Sequence, residues 1–179
     1  MWGRAKRIAC VLAVLCALLA WPGQIAQAQS GFSIAEKGLF RAVAAFTSMS
    51  QAEIAQELSK PSTGGVNFTT AETVEPGQTV RLLISVTGLT PGSDGTSRLF
   101  CEFDFFEDAK KVQSVPSQLC FQQQIPENLN GQMFTLPIDL AITPTDEDIG
   151  EILSLNMRLT DEGSQDTLPL RIAFETVAP

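Results

Sequence analysis

The chain has 179 residues, carries 12 Lys and Arg against 20 Asp and Glu, and has a formal net charge of −8 with a pI near 4.5. So acidic a surface repels nucleic acid and anionic lipid, which argues against partners of either kind. His and Tyr both count zero, which excludes a Ser-His or Cys-His nucleophile and a His-based zinc site.

Residues 1–28 read as a secretory signal peptide. Arg4, Lys6 and Arg7 precede an apolar run from Ile8 to Ala20, followed by Pro22-Gly23 and the small-x-small pattern Ala26-Gln27-Ala28. The run of about 13 residues is short of the roughly 20 that span a bilayer. Cleavage is expected after Ala28, leaving Gln29 as the new terminus and no stable membrane anchor. Cys16 follows the bulky Leu15, Cys10 precedes most of the apolar run, and no twin-Arg pair is present, so neither lipidation nor twin-Arg export is expected. The expected location is periplasmic or secreted. Both Trp residues, Trp2 and Trp21, lie in this segment.

Residues 29–65 are expected to be a helical segment and linker. Ser33 with Glu36 has capping-box spacing, and Phe40, Val43, Ala44 and Thr47 follow at helical intervals across 33–59. Ser50 with Glu53 repeats the capping signal before Ile54 and Leu58, so a break near Ser48–Ser50 or a kink fits as well. Lys60-Pro61-Ser62-Thr63-Gly64-Gly65 is a stop. The apolar stripe must be buried, against the rest of the chain or in a partner.

From Val66 the period changes to two. Val80, Leu82, Ile84 and Val86 alternate with polar residues, Leu83 being out of phase. A Pro/Gly/Asp loop over 90–95 precedes Leu99, Cys101, Phe103 and Phe105 on one face. Glu107 to Lys111 turns the chain, and a short strand is expected at 119–123. Phe134 to Ile142, Leu153 to Leu159 and Leu168 to Phe174 are three further alternating runs. About seven strands with one buried face each predict a mainly β antiparallel sandwich over 66–179, preceded by the α-helical segment.

Two cysteines, Cys101 and Cys120, lie beyond the leader. An even pair in an oxidising compartment is expected to form a disulfide. Closing a loop of that length is worth roughly 3 kcal/mol in the chain-entropy model.

Gly77-x-x-Val80-x-Leu82-x-Ile84 resembles the second strand of an immunoglobulin-like (Ig-like) domain. Asp148-Ile149-Gly150-Glu151-Ile152-Leu153-Ser154 is similar to that fold's D-x-G-x-Y-x-C segment. Arg158 to Gly163 and the strand ending at Phe174 resemble the last hairpin of bacterial extracytoplasmic Ig-like modules. The resemblance covers about 66–177 and implies an Ig-like sandwich. Ile152 stands where the corner Tyr would be, and Ile84 and Ser154 stand where the bridging cysteines would be. The Cys101–Cys120 bond would then staple neighbouring strands around the 107–117 turn.

The acidic loops are the remaining chemical candidates. A strand over 150–160 is about 30 Å long at roughly 3.3 Å per residue, so Asp148 and Asp161 lie at opposite ends. Under Ig-like topology Asp94, Asp161 and Asp166 share one end and form the candidate calcium set, with solvated loop charges as the plainer alternative. Lys110 and Lys111 are expected to face Asp146–Asp148 as exposed ion pairs. No carboxylate pair is marked out for acid–base work, so a non-enzyme is expected. The leading expectation is an exported interaction or structural module of the bacterial envelope with a protein partner and no cofactor. The alternative is an extracytoplasmic protein that binds calcium or a small ligand at its acidic loops.

Overall fold

The computed structural model describes residues 31–59, 68–126 and 131–179. The expected leader with its cleavage site at Ala26, Ala28 and Gln29, and the stop at 60–65, lie outside these residues. The chain is mainly β. Among the described residues ten strands run in the order β1 (Phe32–Lys37), β2 (Phe40–Thr47), β3 (Thr73–Val74), β4 (Val80–Thr87), β5 (Thr96–Glu107), β6 (Lys110–Gln124), β7 (Phe134–Thr135), β8 (Ala141–Ile142), β9 (Ile152–Asp161) and β10 (Thr167–Thr176). An α-helix, α1 (Gln51–Leu58), follows β2, and a single 3-10 turn spans Asp146–Asp148.

Two sheets stack. The first is β1-β2-β4, with β7 and β8 both on the far side of β4. The second has the order β3-β10-β9-β5-β6, antiparallel except for β3 against β10. Their facing sides are the alternating apolar residues. Ala42, Ala44 and Phe46 of β2 and Leu82, Ile84 and Val86 of β4 meet Leu99, Cys101 and Phe103 of β5, Leu155, Met157 and Leu159 of β9, and Leu170, Ile172 and Phe174 of β10. The Phe46 and Phe174 rings cross this interior edge to face, with centroids 5.1 Å apart and planes at 84°. At one side the first sheet is stitched to the second by Gly31, whose N–H donates to Ala173 O at 2.8 Å while its own O accepts from Phe46 N–H at 2.8 Å.

The expected helix over 33–59 is corrected. Residues 32–47 form a hairpin that lies in the first sheet, and only 51–58 are helical. The reason is burial on both faces. Phe40, Ala42, Ala44 and Phe46 point into the core, while Ala45 is also covered, at 4% exposure. A strand apolar on both sides shows no alternation and mimics a helical stripe. Lys37 pairs with Phe40 across Gly38-Leu39, and Gly38 has φ +63°, the Gly-first two-residue loop that suits a hairpin. The Ser50/Glu53 capping box does form: Ser50 Oγ accepts from Glu53 N–H at 3.3 Å, and Glu53 Oε2 accepts from Ser50 N–H at 2.7 Å. The hydrogen bond from the Ser50 backbone holds the Glu53 carboxyl below its usual range.

Two strand expectations also change. The single strand over 134–142 is broken into β7 and β8, because Pro137 has no N–H to give the ladder. Leu136 N–H still donates to Ile84 O, and Leu82 N–H to Leu140 O, each at 2.8–2.9 Å. The short strand at 119–123 is the end of the fifteen-residue β6. The 107–111 turn forms as read, with Glu107 opposite Lys110.

The two residues inside that turn, Asp108 and Ala109, have φ of +44° and +69°. A two-residue hairpin loop with both φ positive favours Asn or Asp followed by Gly, and an Ala in the left-handed region costs about 1–2 kcal/mol. Ala109→Gly is expected to stabilise the protein by about 1 kcal/mol net of the unfolded-state cost of Gly, seen as a rise of a few degrees in Tm. Gly88 is the opposite case: φ is +71° and an added Cβ would overlap the Leu39 carbonyl. Gly88→Ala is expected to lower Tm, with the loss exceeding the gain at 109.

Candidate functional site

The loops joining β4 to β5 and β9 to β10 lie together, as the strand pairing of β5 with β9 requires. Asp94, Asp161 and Asp166 all sit here, yet each is engaged separately. Asp94 is bound by Arg98, Nη2 to Oδ2 at 2.5 Å, and accepts from Thr96 N–H at 2.9 Å. Arg98 reaches on to Glu162 Oε2 at 3.1 Å, tying the two loops across. Asp166 pairs with Lys37 Nζ at 2.6 Å, which links this end to the first hairpin. The hydrogen bond from Arg98, then that from the Thr96 backbone, holds the Asp94 carboxyl below its usual range.

Asp161 is fully buried. Its Oδ2 accepts from Thr90 N–H at 3.0 Å, from Ser164 Oγ at 2.7 Å and from Ser164 N–H at 3.3 Å. It organises both loops, and Gly163 fits beneath because a Cβ there would overlap the Thr90 carbonyl. Asp161 Oδ1 is buried and makes no hydrogen bond. The expected calcium set is thus brought to one end of the sandwich but not onto one point. Among the described residues no group of three or more Asp, Glu, Cys or His is placed to hold a metal ion. The physical reason is competition: Arg98 and Lys37 already neutralise two of the three carboxylates.

The outer face of the second sheet is a cross-strand polar ladder. Glu102 lies opposite Arg158 in register and pairs with it, Arg158 Nε to Oε2 at 3.0 Å. Asp104 accepts from Ser114 Oγ at 2.6 Å and from Lys111 Nζ at 2.9 Å. Those bonds, Ser114 first, depress the Asp104 pKa. Lys111 therefore serves Asp104, not the expected Asp146–Asp148 segment, whose Asp148 instead accepts from Thr145 N–H at 2.6 Å. A shallow hollow of about 340 Å³ opens beside this ladder, lined by Glu102, Asp104, Asn156, Arg158 and Arg171. Arg171 Nε and Asn156 Oδ1, on directly opposed residues, are buried there without partners.

Cys101 and Cys120 are joined, with Cα atoms 5.8 Å apart, within the normal range. The bond staples adjacent strands β5 and β6 around the 107–110 turn, as the spacing implies. The other expected correspondences shift by one residue. Ile84 points into the core, but Ser154 points out, opposite Ala173 and Phe106, and Leu155 takes the inward place. Ile152 is 44% exposed and also lies on the outer side. A one-residue offset moves every side chain to the other face.

The outer face of the first sheet was missed in the sequence. Phe32, Ala45 and Leu83 form one row across β1, β2 and β4. Phe32 is 40% exposed, the next outward residue on β1, Ile34, is 44% exposed, and Leu39 at the hairpin tip is 87% exposed. Leu83 lines a groove of about 380 Å³ beside α1 with Ile54, Leu58 and Pro137, the polar Gln51 and the Arg81–Asp139 pair also lining it. The available signal was the alternation of Phe32 and Ile34 just ahead of Gly38, masked by the helical spacing that follows.

No protein-family model and no curated protein matches the chain. Among solved structures, it is similar to a superoxide reductase (neelaredoxin) from Ignicoccus hospitalis at 12% identity, covering 60% of this chain and 76% of that one, with TM-score 0.33. It is also similar to chicken MD-1 complexed with lipid IVa at 12% identity, covering 82% of this chain and 99% of that one, with TM-score 0.32. Likeness at this level reaches β-rich architecture and carries no functional argument.

Three outcomes test these acidic sites. Asp161→Ala is expected to cost about 2 kcal/mol in denaturant unfolding, because Thr90 N–H and the Ser164 N–H and Oγ–H lose their acceptor at a part-buried site, while Asp161→Asn, keeping one oxygen, costs about 1 kcal/mol. Millimolar calcium is expected to move Tm by less than about 1 °C in a thermal melt, because cations of the chain hold Asp94 and Asp166. Asp94 and Asp104 have folded pKa values below their unfolded ones. The stability they lend is present above about pH 4 and is lost as pH falls through the lowered folded values. An acid titration of Asp104→Asn is expected to show a shallower loss below pH 4 than the wild type.

Proposed function

We propose that this chain is an exported, non-enzymatic interaction module built on an Ig-like sandwich. The observation that carries the reading is the exposed apolar set Phe32, Ile34 and Leu39 on the first hairpin, an edge of its sheet, continued inward by the covered Ala45 and Leu83. A patch of this kind, set in an otherwise charged surface, is the usual mark of a protein contact. Support for the Ig-like reading comes from strand order: β10-β9-β5-β6 with a short parallel β3 at its edge, facing a sheet in which β4 pairs with β2 and with β7 and β8. Support for an oxidising compartment such as the bacterial periplasm comes from the Cys101–Cys120 disulfide together with the signal-peptide pattern of residues 1–28. The absence of His and Tyr leaves carboxylates, Lys and thiols as the available acid–base groups, and the two cysteines beyond the signal-peptide pattern, Cys101 and Cys120, are taken up by the disulfide.

Cross-linked affinity capture from the envelope fraction of the source cell tests the reading, using the wild-type chain and a Phe32→Ser/Ile34→Ser variant with unchanged circular dichroism. The wild type is expected to retain a specific protein that the variant releases. Equal retention by both, or no specific protein with either, would overturn the proposal.

A further inference from the structure

We propose that the Cys101–Cys120 disulfide is a redox-sensitive clasp on β6, and that its reduction opens this edge of the sandwich while the rest of the fold persists. The argument begins with how β6 is held. Among the described residues it is the outermost strand of its sheet and pairs with β5 alone. All but three of its fifteen residues are exposed, the exceptions being Val115, Cys120 and Phe121. Little apolar burial therefore retains it, and the backbone ladder must do most of the holding. That ladder is interrupted. The β5–β6 register shifts at three places, one beside Cys120 and one at Pro116, a residue with no N–H to donate.

The other long strands are differently placed. β9 lies between β10 and β5, and β10 lies between β3 and β9, with Leu155, Leu159 and Ile172 fully buried. The cross-link closes a loop that lies wholly inside the β5–β6 hairpin. Its effect on chain entropy is therefore confined to the hairpin. Beyond Cys120, the Phe121 ring meets Phe134 of β7 at 5.7 Å between centroids. That contact closes the seam between the two sheets on the side away from Gly31. Release of β6 parts this ring pair and bares the β5 edge at Leu99 and Phe103, while β5 stays paired to β9.

The chemistry needs a dithiol reductant. Cys101 is fully buried and Cys120 is half-buried, so the attacking thiolate reaches Cys120 Sγ. The Sγ–Sγ bond breaks, a mixed disulfide forms at Cys120, and the Cys101 thiolate leaves and takes a proton. The second thiol of the reductant then closes its own disulfide and releases Cys120 as a thiol. Two electrons pass to the protein, and the dithiol is oxidised.

Hydrogen–deuterium exchange on the full secreted chain, oxidised and after reduction with dithiothreitol, tests the clasp. Amides of 110–124 that donate into β5 are expected to exchange about a hundredfold faster once reduced, in line with a loop of this length. Amides of β9 and β10 are expected to change by less than about threefold, and an apolar dye is expected to bind the reduced form only. A Cys101→Ala/Cys120→Ala variant is expected to show the reduced pattern without reductant. Uniform acceleration through all strands, including outright unfolding of the reduced wild type, would overturn the proposal. So would unchanged exchange in 110–124 after reduction.

Discussion

The edge-to-face contact between Phe46 and Phe174 marks the constraint on which the rest of the structure depends: two alternating apolar faces, far apart in sequence, must cover each other. Such a pair is worth about 0.5–1.5 kcal/mol beyond the roughly 1.5–3 kcal/mol of burying each ring. Once Phe46 and Phe174 face inward, the period of two sets the direction of every other residue on β2 and β10. Pairing of β2 with β4, and of β10 with β9 and β5, then carries the same inward face across both sheets. The first hairpin is therefore part of the core and not an appendage to it.

Polar groups hold the ends of the sandwich where apolar burial runs out. Asp161 gives Thr90 and Ser164 their acceptor, and Arg98 spans Asp94 and Glu162, so two loops are fixed by charge-assisted bonds. The same bonds take the carboxylates out of play as metal ligands. On the outer face of the second sheet, acids are matched by Arg158 and Lys111 across strands. The outer face of the first sheet has an Arg81–Asp139 pair and a Ser85–Thr135 hydrogen bond beside β7 and β8, but toward β1 it turns apolar and meets solvent at Phe32 and Ile34. This asymmetry between the two outer faces underlies the interaction reading.

The edges of the second sheet are unequal as well. β3 is two residues long and offers little to a foreign strand. β6 is long and open, yet it carries Lys110, Lys111, Pro116 and irregular register, devices that discourage strand addition. Those same devices weaken its hold on β5, and the disulfide ties the two strands beside one of these irregularities.

The sequence by itself determined the mainly β class, the inward faces of β4, β5, β9 and β10, the turn at 107–110, the α1 capping box and the cysteine pairing. Each rests on local information: period-two alternation, a turn between apolar runs, a Ser-x-x-Glu spacing, or a single even pair of thiols. Tertiary structure alone decided three other things. Residues 32–47 became strands because burial on both faces erased their alternation. Pro137 split the run at 134–142 because β4 needed donors that proline lacks. Asp94, Asp161 and Asp166 were brought to one end yet kept apart, because Arg98, only four residues on, holds Asp94, while Lys37 reaches Asp166 from the first hairpin, a pairing that only the fold decides.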